Sequence, residues 1–307
     1  MTLHPCFIGI DVSKDTLDLF EENGGSERLP NTAAASGERL ARLDAATAFV
    51  VFEATGSYDA ALRRALQAAG LRFARVNPAR ARAFARAAGL LAKTDAVDAR
   101  MLALMGRALA LAPQTPADAG RETLAALNRR RDQLVEMRAA ERVRRRQDDD
   151  PTGSLERHLA WLDAEIVTLD RLIDEALHAD ERLADDARLL RTAPGIGVGN
   201  ATTLVASMPE LGHRPPKAIA ALAGLAPLNR DTGKHRGKRS IGGGRGRVRR
   251  ALYMAAVAAV RTNARLRDFY LRVRASTASA KAALIAVARK LITILNAMMR
   301  TRTAFQP

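Results

Sequence analysis

Cysteine is almost absent. Cys6 is the only one in 307 residues, which excludes a disulfide framework and a zinc–thiolate cluster within one chain. No charged-then-apolar leader opens the sequence, since Met1 to Pro5 run straight into a strand-like stretch. Long apolar runs are missing too. The longest apolar helix candidate, Ala251 to Val260, is half of what a bilayer crossing needs and is flanked by arginines. These absences predict a cytoplasmic chain with no membrane partner. Acidic residues are scarce in one third only. Residues 191–307 carry 22 Lys plus Arg against 3 Asp plus Glu, a net of +19, whereas residues 1–110 net +2 and residues 111–190 net −5. A folded segment that positive repels itself until a polyanion neutralises it, and the preference for Arg over Lys suits a phosphate backbone.

What is present divides into three parts. The chain is long enough for two or three domains, and 48% hydrophobic residues supply cores for them. Phe7-Ile-Gly-Ile-Asp11 reads as a short strand, Thr16 to Phe20 alternates like its antiparallel partner, and Asn23-Gly-Gly-Ser26 is a turn leading to a short stretch near Arg28. Phe49-Val-Val-Phe-Glu53 and Leu71 to Val76 are further strands, with a helix between them and helices from Ala79 to Leu111. This predicts a mixed α/β domain over 1–111. Residues 112–187 contain two polar helices around Asp148-Asp-Asp-Pro-Thr-Gly153. In the second, Leu155, Leu159, Leu162, Ile166, Leu169 and Ile173 repeat every three or four residues. That heptad seam predicts a coiled-coil hairpin serving as an oligomerisation arm, although one helix packing on its own domain needs no partner. A mostly helical domain follows over 188–307.

Four carboxylates stand out. Asp11 and Glu53 end strands, and a carboxylate directly after Ile-Gly-Ile or Val-Val-Phe is costly without a ligand. Asp95 and Asp98 open a helix within Lys93-Thr-Asp-Ala-Val-Asp-Ala-Arg100, and residues three apart share a helix face. Each has an ordinary explanation, such as a helix N-terminal charge for Asp95, an arginine partner for Asp98 or a turn for Asp11. Together they predict a site for Mg²⁺ or Mn²⁺ of the RuvC/RNase H type, since hard oxygen donors hold the ions that drive phosphoryl transfer.

Two segments are candidate phosphate grips. Pro194-Gly-Ile-Gly-Val-Gly199 resembles a helix-hairpin-helix turn, in which Gly195 and Gly197 would let the backbone approach a phosphate; a glycine cap between two helices is the plain alternative. Ser240 lies in a Gly/Arg-rich loop with Lys238, Arg239, Arg245, Arg247, Arg249 and Arg250, cations that would stabilise an attacking hydroxyl and a crowded phosphate. Most serines in such loops are polar linkers or phosphate contacts.

Ile8-Gly-Ile-Asp-Val-Ser-Lys14, Phe52-Glu-Ala-Thr-Gly56, Lys93-Thr-Asp-Ala-Val-Asp-Ala-Arg100, Pro194-Gly-Ile-Gly197, Gly224-Leu-Ala-Pro227 and Arg249-Arg-Ala-Leu-Tyr-Met254 jointly resemble the insertion-sequence-110 transposases, bridge-RNA-guided DNA recombinases. The resemblance spans nearly the whole chain. It implies a RuvC-like N-terminal domain whose metal tetrad is Asp11, Glu53, Asp95 and Asp98, a coiled-coil middle, and a C-terminal serine domain. It further implies donor and target DNA as substrates, a structured noncoding guide RNA, and dimers that form a tetramer on DNA. An ungapped count back from Arg249 puts the family's serine position on Ile241, beside Ser240, so Ser240 is the expected nucleophile and Thr232 its alternative.

Other readings explain less. A sugar kinase or actin-like ATPase also places Asp after Ile-Gly-Ile, but it requires a second phosphate loop that the sequence lacks. A non-catalytic nucleic-acid-binding protein leaves the four carboxylates without a purpose. A junction-resolving nuclease shares the tetrad and needs no serine domain; a protein-linked intermediate separates it from a recombinase.

Overall fold

The computed structural model describes residues 6–56, 58–90, 94–114, 118–147, 149–228, 240–277 and 279–306. The chain forms two compact units, Met1–Pro116 and Ala117–Pro307.

The first unit runs β1 (Cys6–Val12), β2 (Thr16–Glu21), β3 (Gly25–Pro30), α1 (Ala33–Leu40), β4 (Ala48–Glu53), α2 (Ala60–Ala68), β5 (Arg72–Val76), α3 (Pro78–Ala87) and α4 (Asp95–Ala108). Its sheet has the order β3-β2-β1-β4-β5. β1, β2 and β3 form an antiparallel meander, while β4 and β5 add in parallel through helical crossovers. This mixed sheet with helices on both faces is compatible with an RNase H-like domain. Because side chains alternate along a strand, each face has its own core. Ile8, Ile10, Leu17, Leu19, Val50 and Phe52 meet Leu40, Leu62 and Leu66 of α1 and α2. Phe7, Phe49, Val51, Ala74 and Val76 meet Met101, Leu102 and Met105 of α4 on the other side.

The second unit is helical apart from one short ladder. It comprises α5 (Ala119–Gln147), α6 (Ser154–His178), α7 (Glu181–Arg191), α8 (Val198–Ser207), α9 (Pro216–Leu222), β6 (Pro227–Leu228), β7 (Ser240–Ile241), α10 (Gly246–Thr262), α11 (Ala264–Ser276) and α12 (Ala280–Thr301). Where the sequence predicts a separate arm at 112–187, α5 and α6 share this unit, since Leu124, Ile173 and Leu177 lie in one core with residues of α8, α10 and α12.

The heptad seam is filled inside the chain. Leu159, Leu162, Ile166, Leu169 and Ile173 are buried, and Leu162, Ile166 and Leu169 cluster with Leu134 of α5. Arg131–Asp170 and Arg138–Asp163 pairs flank the hairpin. The stretch of the seam from Leu159 to Ile173 is thus covered within the chain, by α5 and the core of the second unit. Ala251 to Val260 is not the longest apolar helix. α12, interrupted in sequence by Arg289 and Lys290, has the length and hydropathy of a membrane span. Its Val287, Ala288, Leu291, Ile292 and Leu295 are fully buried at the centre of the second unit, which makes it a core helix.

Candidate functional site

One helix lies very close to one strand, and the site follows from that contact. A Cβ on Gly9 would sit 1.8 Å from the Ala99 carbonyl oxygen and 2.7 Å from the Ala103 nitrogen of α4. Further along, Gly106 packs on strand side chains, where a Cβ would stand 2.7 Å from the Phe7 ring and the Val51 methyl. α4 therefore runs antiparallel to β1 at backbone distance, and its N-terminal turn arrives at the C-terminal end of β1. That turn is fixed by Thr94, whose hydroxyl accepts from the Val97 N–H. The glycine of Ile-Gly-Ile-Asp thus delivers Asp95 and Asp98 to the neighbourhood of Asp11.

The sheet supplies the rest through register. Asp11 pairs with Asp18 across β1 and β2, and Asp18 with Arg28 across β2 and β3. On the other side, Ile10 pairs with Phe52, which sets Glu53 beside Asp11 at the end of β4. One row on the α4 face thus reads Arg28, Asp18, Asp11, Glu53 across four strands, with Asp95 and Asp98 above it.

The electrostatics report the crowding. Burial pushes the Asp11 carboxyl up from its ordinary 3.8 to about 6, and the charges of Asp98, Asp95, Glu53 and Asp18 add to the rise in that order. Like charges gathered against their own repulsion, all oxygen donors, fit a hard divalent cation. As the side chains stand, no three acidic, His or Cys groups among the described residues converge closely enough to hold an ion. Asp95 has turned to Arg28, whose Nη2 donates to it at 2.8 Å while its Nε donates to Asp18 at 2.8 Å. The sequence reading missed both Asp18 and Arg28. The signal was available: a tight turn at Ser13 to Thr16 fixes Val12 opposite Leu17, and counting back one residue puts Asp18 opposite Asp11.

The loops around this edge are tied down. Asn31 donates from Nδ2 to the carbonyls of Ser13 and Tyr58, joining the β1–β2 loop to the segment after Glu53. Asp59, fully buried, accepts from Arg75 at 2.6 Å and Arg63 at 3.3 Å, and so fixes the start of α2.

In the second unit the described arginines expected to bind phosphate have protein partners. Arg245 makes a bidentate pair with Glu210 at 2.6 Å through both terminal nitrogens. Arg247 pairs with Asp132 at 2.9 Å and Arg250 with Glu136 at 2.6 Å, both acids lying on α5. Arg249 donates to the carbonyl oxygens of Gly243 and Gly224. Of the glycines that follow Ser240, Gly244 is packed against backbone, where a Cβ would stand 2.3 Å from the Gly224 nitrogen, while a Cβ on Gly243 would meet nothing within 4 Å. Ser240 itself is exposed in β7, opposite Leu228. Lys238, Arg239 and Thr232 lie outside the described residues. Gly195, with φ +78°, is held against α10, where a Cβ would stand 2.2 Å from the Ala255 oxygen. Gly197 is exposed immediately before α8 and has open space around it.

Both units resemble known proteins. A transposase family model of the DEDD insertion-sequence-110 type matches residues 8–147, and the model described as Transposase IS116/IS110/IS902 family matches residues 187–271. The pilin gene-inverting protein of Moraxella bovis is 29% identical over 315 residues, 97% of each chain, and its Moraxella lacunata counterpart is 28% identical over the same span. An insertion element IS116 protein of Streptomyces clavuligerus is 33% identical over 159 residues, half of this chain and 38% of that one. With the DEDD match over the carboxylate unit and the second match over the helical unit, the chain belongs to the IS116/IS110/IS902 family of transposases, enzymes that act on DNA.

Proposed function

We propose that this transposase cuts and rejoins DNA with a divalent ion, Mg²⁺ or Mn²⁺, held by Asp11, Glu53, Asp95 and Asp98, and with Ser240 as the nucleophile. The observation that carries the metal reading is the crowding of carboxylates around Asp11, whose pKa is raised to about 6 by burial first and by these acidic neighbours second. When bound, the ion would neutralise the scissile phosphate and polarise its oxygens. Asp11 and Glu53 would hold it from the sheet, while Asp95 and Asp98 would approach from α4. Protons compete for Asp11 below about pH 6, so ion binding and cleavage should both rise as pH increases through that value.

Rejoining supports the serine. A relative that matches end to end is named for inverting a gene, and inversion requires broken strands to be resealed. Attack by the Ser240 oxygen on phosphorus expels one sugar hydroxyl, passes the serine proton to the surroundings, and stores the bond as a phosphoserine ester. Attack on that ester by the hydroxyl of another strand restores the phosphodiester and frees the serine. The positive balance of residues 191–307, a net of +19, supports a nucleic-acid-holding role for the second unit. Together with the family resemblance it supports a structured guide RNA whose base pairing selects donor and target DNA. Because the heptad seam is covered, assembly into dimers and tetramers would use other surfaces. Exposed Met137, Val143, Trp161 and Val167 on the hairpin are available for it.

Asp11→Ala should lower strand cleavage by at least about 10³-fold while leaving DNA binding within a few fold. Normal cleavage by that variant overturns the metal site. On nicked substrate, a protein–DNA adduct lost in Ser240→Ala supports the nucleophile. An adduct that persists there and vanishes in Thr232→Ala moves the role to Thr232. Cleavage without any adduct in the unmutated chain makes this a plain metal nuclease, and recombination unchanged without RNA removes the guide.

A further inference from the structure

Arg28 occupies a peculiar place for an edge-strand residue. Its strand, β3, is the outermost of the sheet and is mostly exposed. Yet its guanidinium faces the carboxylate row and divides its donors between two acids of unlike burial. Nε reaches Asp18 at 2.8 Å, and the Asp18 side chain is only 10% exposed. Nη2 reaches Asp95 at 2.8 Å, where both side chains are 59% exposed. The two bonds therefore differ in strength. A pair with a buried partner is screened little and is kept, because breaking it leaves Asp18 charged and uncompensated beside Asp11. An exposed pair contributes a factor of roughly two to five in an equilibrium constant and yields to a stronger competitor. A divalent ion among several carboxylates is such a competitor.

We propose that Arg28 is a resident counter-cation of the carboxylate row: anchored on Asp18, it holds Asp95 when no divalent ion is bound and must release it when the ion binds. This rests on the reading of Asp11, Glu53, Asp95 and Asp98 as the metal-holding set. Asp18 is then the anchor that keeps the guanidinium in place, and Asp95 is the group exchanged between arginine and ion. The arrangement limits repulsion among the acids in the ion-free chain and sets a threshold of ion concentration for completing the site. Once released, Nη2 remains at the mouth of the site, still attached to Asp18 through Nε and available to a phosphate.

The test is ion binding without nucleic acid, with free Mn²⁺ followed by its electron paramagnetic resonance signal. Four full-length chains are compared at fixed salt and pH 7.5: unmutated, Asp11→Asn, Arg28→Gln and Asp18→Asn/Arg28→Gln. Competition predicts tighter Mn²⁺ binding in both Arg28 variants, by about tenfold in Arg28→Gln, where Asp18 also contributes its freed charge, and about two- to fivefold in the double variant. The double variant has the net charge of the unmutated chain. Tightening confined to Arg28→Gln therefore attributes the effect to bulk charge and overturns the exchange at Asp95. Equal or weaker binding in both Arg28 variants overturns it as well, provided that Asp11→Asn abolishes the site and so leaves the metal reading intact. If the unmutated chain shows no saturable Mn²⁺ binding that Asp11→Asn removes, the metal reading itself fails and takes this inference with it. Thermal melts in EDTA check that each variant is folded.

Discussion

The two units treat charge in opposite ways. In the first, acids from β1, β2, β4 and α4 are brought together around Asp11, whose pKa is raised to about 6 by burial and then by these neighbours. In the second, the basic excess is larger, but the described arginines of the expected interface are each matched to an acid or a carbonyl, as in Arg245–Glu210, Arg247–Asp132 and Arg250–Glu136. Folding alone favours the second pattern, because unlike charges side by side lower the energy and like charges raise it. A cluster that opposes folding calls for a ligand to justify it, whereas a matched set does not. The carboxylate row is for this reason the stronger functional signal, although the basic segment is the more conspicuous feature of the sequence.

The largest expected effect breaks the first half of this contrast at its mechanical origin. Gly9→Val puts a Cβ where the Ala99 carbonyl oxygen stands, and neither backbone can yield without separating α4 from β1. The expected loss is about 3 kcal/mol or more, read from denaturant unfolding. Cleavage should vanish with it even at temperatures where the protein remains folded, since Asp95 and Asp98 would leave the row. Unaltered stability would show that the strand–helix contact is looser than described.

A second substitution addresses the hairpin. Leu162→Ala should cost about 3 kcal/mol, because Leu162 is fully buried between α5 and α6. The mass in light scattering should stay constant below the unfolding transition. A fall in mass without unfolding would return the seam to an intermolecular role.

These two cases also show what was legible beforehand. Gly9 and Asp11 were readable as a strand end carrying a carboxylate, and the three-residue spacing of Asp95 and Asp98 placed them on one helix face. What the motif did not reveal was Gly9's function, which depends on a helix 90 residues later lying on it. Asp18 and Arg28 were readable in principle, because turn length sets register and register sets neighbours across the sheet. The heptad seam could not be assigned from its period, since an apolar stripe looks the same whether its partner is the preceding helix or another chain. The ion pairs of the α10 arginines were hidden for a similar reason. Their partners Asp132 and Glu136 belong to α5, more than a hundred residues earlier, and no local pattern announces them.

A third prediction sharpens the contrast through pH. Asp11's carboxyl titrates near 6 in the folded chain against an ordinary 3.8, so the folded state keeps a proton that the unfolded state has already lost between those values. Stability in EDTA should therefore decline as pH rises from about 4 to about 6 and then level off. Asp11→Asn removes this penalty and should gain about 1–2 kcal/mol above pH 6, less than the roughly 3 kcal/mol of the whole shift because Asp11 keeps contact with solvent. Below pH 4 the two proteins should be equally stable. A gain that is the same at every pH would mean that repacking, rather than charge, accounts for it. Loss of function together with a gain in stability is the expected mark of a site selected against folding.

The smallest effect concerns the matched charges of the second unit. If the α10 arginines serve a phosphate backbone, Asp132 and Glu136 occupy in the free chain the place that phosphates take in the complex. Arg250–Glu136 is well exposed and should exchange readily, while Arg247, desolvated by burial and so below its ordinary pKa, is held more firmly. Asp132→Asn/Glu136→Gln frees both arginines and adds two units of positive charge. DNA affinity measured by fluorescence anisotropy at 0.1 M salt should rise by about two- to tenfold, and the salt dependence should steepen by about one to two phosphate contacts. A uniform rise with an unchanged slope would mean that the pairs survive in the complex and that only the general field has changed. No rise at all would make Arg247 and Arg250 structural members of the α5–α10 contact and move the nucleic-acid interface elsewhere on the second unit. The clustered acids of the first unit would then be functional, and these basic residues of the second simply neutralised.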